Sequence, residues 1–145
     1  MAIKRMADDP ADEAVEYGSS TQVNTNPAAA ELFLVLLHAA TVAHILHLQT
    51  RSFAEHMALD ELYKALPDLT DALIESYQGK YGLVMEYPAK PPMPPTDNCV
   101  RFVVGLNKYV DQVRAKVSDD SEIQNQIDEI VTQLNSTTYK LKFLS

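Results

Sequence analysis

The 145-residue sequence has no tryptophan and only one cysteine. Cys99 has no partner for an internal disulfide, which favours a reducing compartment and leads us to expect a cytoplasmic protein. Positive charge is also scarce: 12 basic side chains stand against 20 acidic ones, a formal net charge of −8. That balance argues against an overall field that attracts nucleic acid or an anionic membrane. No apolar core follows Lys4 and Arg5, so the opening residues do not read as a signal peptide. The greasiest run, Leu32 to Leu48, is shorter than the ~20 residues that span a bilayer and contains three histidines. It reads as a buried helix of a soluble protein.

Strong catalytic motifs are missing as well. The chain contains no H-E-x-x-H, no Walker loop, no G-x-S-x-G and no cysteine cluster. Glu-x-x-His, the pair with which ordinary di-iron bundles build a site inside one subunit, is also absent. We find no internal repeat and no convincing strand.

What remains is helical. With 46 % hydrophobic residues, the chain has the length of a single domain that buries roughly two-thirds of its unfolded surface. Residues 1–26, with five acidic and two basic side chains and no periodicity, read as a polar arm outside the fold. A first helix is predicted over 27–49, with Asn26 as cap and Pro27 at the first helical position. It is apolar almost all round, so it should be buried between bundle partners and a second subunit. Ser52 and Glu55 form a capping-box pattern that opens a second helix over 53–79, with Gly79 as its stop. Pro67 should kink that helix.

Five prolines between Pro88 and Pro95 mark an extended linker over 83–96, about 40 Å long at ~3.1 Å per residue. That is enough to return along a ~35 Å helix, and a spacer is a better reading than an SH3 ligand. A valine stripe from Val100 to Val117 predicts a third helix over 97–117. Asp119 with Glu122 and the stripe Ile123, Ile127, Ile130, Leu134 and Leu141 predict a fourth over 119–143. The fold class expected is all-α: a ferritin-like four-helix bundle with a long proline-rich crossover between helices 2 and 3.

His38, His44, His47 and His56 crowd into one window. His38 reads as a packed core residue, while His47 reads as packed or as backing for a ligand. His56 with Asp60, and Asp71 with Glu75, are i, i+4 pairs on one face of the second helix. A span of 19 residues separates His56 from Glu75, about 28 Å along a helix, so one ion cannot touch both ends. An antiparallel copy of the same helix solves this: a two-fold axis near Ala65–Leu66 brings one copy's His56/Asp60 end to the other's Asp71/Glu75 end. Imidazole with carboxylate suits iron, and also zinc or manganese.

His44, the twelve-residue step to His56, "Asp60-Glu61-Leu62-Tyr63" and Asp71-x-x-x-Glu75 together resemble the intersubunit ferroxidase signature of Dps-type miniferritins. Phe53 and Ala54 also match the start of that family's second helix. The resemblance is specific over residues 28 to 79. It implies His44, His56 and Asp60 as metal ligands from one chain, with Asp71 and Glu75 from its two-fold mate. It further implies Fe(II) oxidation by peroxide or oxygen, iron storage, and a homo-oligomeric, dodecameric shell.

The chain departs from that family at several points. Ile45 stands where the family carries tryptophan, Pro67 interrupts the ligand-bearing helix, and the crossover is proline-rich. The acidic arm argues against DNA coating, and a protein partner for residues 1–26 is an alternative use for it. These departures motivate a second expectation, a non-catalytic structural or assembly protein that retains a Dps-like bundle. A third is a zinc or manganese module without turnover.

Overall fold

Each of the four predicted helices forms. The computed structural model describes residues 26–83 and 85–144, where the helices are α1 (Pro27–Gln49), α2 (Phe53–Tyr81), α3 (Cys99–Val117) and α4 (Ser121–Phe143). The described residues contain no strand. The acidic arm lies outside them apart from Asn26.

The ends of the helices follow local chemistry. Asn26 Oδ1 accepts from the Ala29 amide at 3.0 Å, while its amide group donates to the Lys116 and Val117 carbonyls. One side chain thus caps the start of α1 and binds the end of α3. Ser52 Oγ accepts from the Glu55 amide to open α2. That helix runs two residues beyond the predicted stop: Gly79 stays helical, and Gly82 at φ 64° takes the left-handed cap position that a side chain would strain. Asn98 caps α3 through the Arg101 amide. The capping box expected of Asp119 and Glu122 does not form, and α4 begins at Ser121 after Asp120. Asp120 makes no cap bond because Tyr81 donates its hydroxyl to that carboxylate at 2.5 Å, and Lys80 pairs with it too.

Pro67 does not divide α2, which is continuous from Phe53 to Tyr81. Pro67 is exposed, on the side of α2 away from the buried leucines.

The helices form a closed ring of neighbours: α1 packs on α2, α2 on α4, α4 on α3 and α3 on α1. Residues 50–52 and 118–120 make the two short connections, as antiparallel neighbours require. The predicted stripes supply the core. Leu59, Leu62, Leu66 and Leu73 of α2 are fully buried with Ile123, Ile127, Ile130 and Leu134 of α4, each worth about 1.5–3 kcal/mol of transfer free energy. Phe33 and Tyr77 meet edge to face at 5.2 Å.

Contacts at the two ends fix the placement of α3. Cys99, its first residue, lies against Glu55 near the start of α2, and burial pushes the Cys99 thiol up, with Glu55 adding to the shift. At the opposite end Tyr81 bonds Ser118 at 2.6 Å, and Lys80 bonds Glu122. The linker prolines lie on α3: a Cβ at Gly105 would stand 2.9 Å from Pro94 Cβ, so glycine permits the close approach.

Two expectations for α1 change. His38 is exposed and bonds the Leu34 carbonyl through Nδ1 at 3.0 Å, so it is no core residue. Nor does one chain bury the helix on all sides, since Leu37, Ile45 and Leu48 are exposed. α1 has the length and composition of a membrane-crossing helix, and just over half of its most apolar stretch is buried, the pattern that a core helix also gives.

Candidate functional site

The tight turn between α1 and α2 is braced by its own side chains. The Thr50 hydroxyl donates to Glu55 Oε2 at 2.5 Å and accepts from the Ser52 amide at 3.1 Å. This turn brings the last turn of α1 against the first turns of α2. His47 and His56, nine residues apart, therefore meet across it.

Their contact is reciprocal. His47 Nδ1 bonds the His56 carbonyl at 2.9 Å, and His56 Nδ1 bonds the His47 carbonyl at 3.1 Å. The rings stack at 3.7 Å with 25° between their planes. A carbonyl oxygen only accepts, so both Nδ1 atoms carry hydrogen, and a neutral ring then keeps its lone pair on Nε2. Hydrogen bonding of that kind also orients histidines that ligate metals.

Around this pair stand the other candidates. His47 Nε2 is 3.9 Å from Asp60 Oδ1, while Asp60 Oδ2 accepts from Lys64 at 2.7 Å. The Lys64 ammonium holds the Asp60 carboxyl below the usual carboxylate range against the opposing effect of burial, and the Tyr63 hydroxyl assists. His44 lies flat on the Tyr63 ring at 4.1 Å with 11° between the planes, and its centroid is 6.0 Å from that of His47. His44, His47, His56, Asp60 and Tyr63 thus share one end of the α1–α2 face.

Asp71 and Glu75 do not join them. Both are exposed further along α2, beginning about 22 Å from His56 at 1.5 Å per residue. Among the described residues, no group of three histidine, cysteine, aspartate or glutamate side chains of one chain is set to hold a metal ion. The ring stack gives one reason: nearly parallel rings 3.7 Å apart cannot both contain the same ion in their planes.

Three residues of the cluster stand outside the expected ligand set. His47 is 7 % exposed and at the centre of the cluster, and the nine-residue step to His56 across a capped turn was the available signal. The partnership of Lys64 with Asp60 was legible as an i, i+4 pair. Tyr63 is half-buried, stacked on His44 and directed to Asp60.

A family described as of unknown function, DUF5856, matches residues 47–141, a stretch that includes His47, His56, Asp60, Asp71 and Glu75 but not His44. The chain is also 32 % identical over 122 residues to an uncharacterized 14.6 kDa protein from the mobD-ri intergenic region of Enterobacteria phage T4. That similarity covers 79 % of this chain and 89 % of the phage protein. No solved structure matches the chain. By the extent of the family match, which covers more than half of the chain, this four-helix protein belongs to the DUF5856 family.

Proposed function

We propose that the protein is a Dps-like iron-binding ferroxidase subunit whose metal sites are completed by a two-fold-related copy. One observation carries this reading: His44, His56 and Asp60 gather at one end of the α1–α2 face, while Asp71 and Glu75 stand exposed at the other end of the same helix. The two half-sets are centred on Ala65–Leu66, so an antiparallel copy brings opposite ends together twice. Further support comes from the exposed Leu37, Ile45 and Leu48 of α1, which a second copy would cover.

The chain contacts also support a ferritin-like topology. Cys99 beside Glu55 and Ser118 beside Tyr81 are consistent with parallel α2 and α3, joined by a linker that runs the length of the bundle.

In this reading Fe(II) is the substrate, and peroxide or oxygen takes its electrons. His44 and His56 supply neutral nitrogen donors, Asp60 with the partner chain's Asp71 and Glu75 supplies charge, and Lys64, bonded to Asp60 Oδ2, competes with iron for that carboxylate. The exposed Lys64 ion pair is weak enough to yield. Storage of the ferric product in a dodecameric shell, and a cytoplasmic location, go with the same reading.

Subunit complementation tests it. His56→Ala and Asp71→Ala should each abolish peroxide-driven oxidation of anaerobically loaded Fe(II). An equal mixture, unfolded and reassembled together, should regain about one quarter of the wild-type sites, because half the dimers are mixed and each holds one intact site. Oxidation by both variants at the wild-type rate would end the ferroxidase reading, as would a monomeric native mass. Inertness toward iron together with an intact oligomer would favour the assembly-protein alternative, which Lys64 on Asp60 and Ile45 in place of tryptophan already recommend.

A further inference from the structure

His47 belongs to neither half of the ligand set, yet it is the most buried residue of the cluster. We infer that His47 is a positioning residue, a clamp on His56: its main-chain carbonyl fixes hydrogen on Nδ1 and the lone pair on Nε2, and its side chain, bonded to the His56 carbonyl and stacked on the His56 ring, fixes where that ring stands. The inference rests on the metal-site reading for the use of that lone pair, and on the hydrogen bonds alone for its orientation.

Three observations carry it. The reciprocal bonds of 2.9 and 3.1 Å join each ring to the other residue's main chain, so neither side chain can turn without breaking a bond. The stack at 3.7 Å restrains rotation of the His56 ring about its χ angles. The parallel planes also divide the labour between the two histidines. One ion can lie in the plane of one ring only, and His47 is 7 % exposed, with Nε2 already facing Asp60 Oδ1 at 3.9 Å. His56 is the more exposed partner, so its Nε2 is the donor left for an incoming cation. Support by a hydrogen-bonded neighbour of this kind typically affects metal affinity by about 10- to 100-fold.

The experiment uses the full chain and two readouts. Carbon and nitrogen NMR shifts of the metal-free protein at about pH 8, above the ordinary histidine range, report which ring nitrogen carries hydrogen. Co(II) titration followed by absorbance reports affinity. Wild type should show His56 with hydrogen on Nδ1. His47→Phe keeps a flat ring and the residue-47 carbonyl that holds the His56 Nδ1 hydrogen, so the fold and the His56 tautomer survive, while the bond donated to the His56 carbonyl is lost and Co(II) affinity should fall about 10- to 100-fold. His47→Gln, which restores an N–H donor, should recover part of that loss.

The failures are distinguishable. Wild-type Co(II) binding with hydrogen on His56 Nε2, or a His47→Phe protein unchanged in affinity, overturns the clamp alone. A wild type with the clamp tautomer that binds no Co(II) overturns the metal-site reading, and with it the purpose assigned to His47.

Discussion

Asp60 Oδ2 accepts its bond from Lys64 while Oδ1 faces the His47 ring, so a single carboxylate sits between a fixed cation and the imidazole cluster. The ammonium depresses the Asp60 pKa. A depressed carboxylate contributes stability that is present above the unfolded pKa, ordinarily ~4, and is lost as pH falls through the lower folded value. Lys64→Ala should return the Asp60 titration toward ordinary carboxylate pH, which carboxyl carbon NMR measures directly. The same variant should bind Co(II) more tightly, by a few-fold, because the ion no longer competes with an ammonium. Weaker binding after Lys64 is removed would mean that the lysine organises the carboxylate rather than blocking it.

Among the helices, α2 carries all the candidate ligands but His44, and Pro67 lies near the midpoint between His56/Asp60 and Asp71/Glu75. The proline has no amide hydrogen for the Tyr63 carbonyl, yet the leucines on the opposite side of the helix are fully buried and hold α2 together across the gap. Restoring the donor in an exposed position is therefore favourable. Pro67→Ala should stabilise the chain by about 2 kcal/mol, after allowance for the greater freedom of the unfolded state, and urea unfolding would register it. An unchanged or lower midpoint would show that the proline is matched to a contact outside the single chain.

α1 behaves differently because its apolar residues leave it without a polar side. Burial against α2 and α3 takes up one face, and Leu37, Ile45 and Leu48 remain on the other.

At the scale of the whole molecule, that exposed face and the divided candidate ligand set both fit the second copy that the proposed function calls for. Charge at apolar positions on the face should prevent its approach without disturbing the core. Ile45→Glu combined with Leu48→Glu should leave the helical circular dichroism intact, reduce the native mass to that of a monomer, and remove iron oxidation with it. A wild-type mass preserved in this variant would move the interface to some other surface, and the shared site would lose its geometry.

Much of the fold was readable from one dimension because helices are local. The Asn26 and Ser52 caps, the leucine and isoleucine stripes and the two short turns depend on neighbours within a few residues, and α1 runs over the predicted 27–49. Chain spacing likewise paired His56 with Asp60 and Asp71 with Glu75, since i, i+4 pairs and whole helical turns can be counted, while His44 entered through the resemblance to the miniferritin signature. Contacts between distant elements could not be counted in that way. Asp120 gives up its capping role because Tyr81 and Lys80 arrive from α2, His38 is exposed and bonds back to the Leu34 carbonyl of its own helix, and His47 meets His56 because a braced turn folds two helix ends together. The sequence by itself determined four helices and a set of metal-binding residue types in register along one of them. Only the tertiary structure decided which side chains meet, because hydrogen bonds and ring stacking depend on the packing of whole elements rather than on distance along the chain.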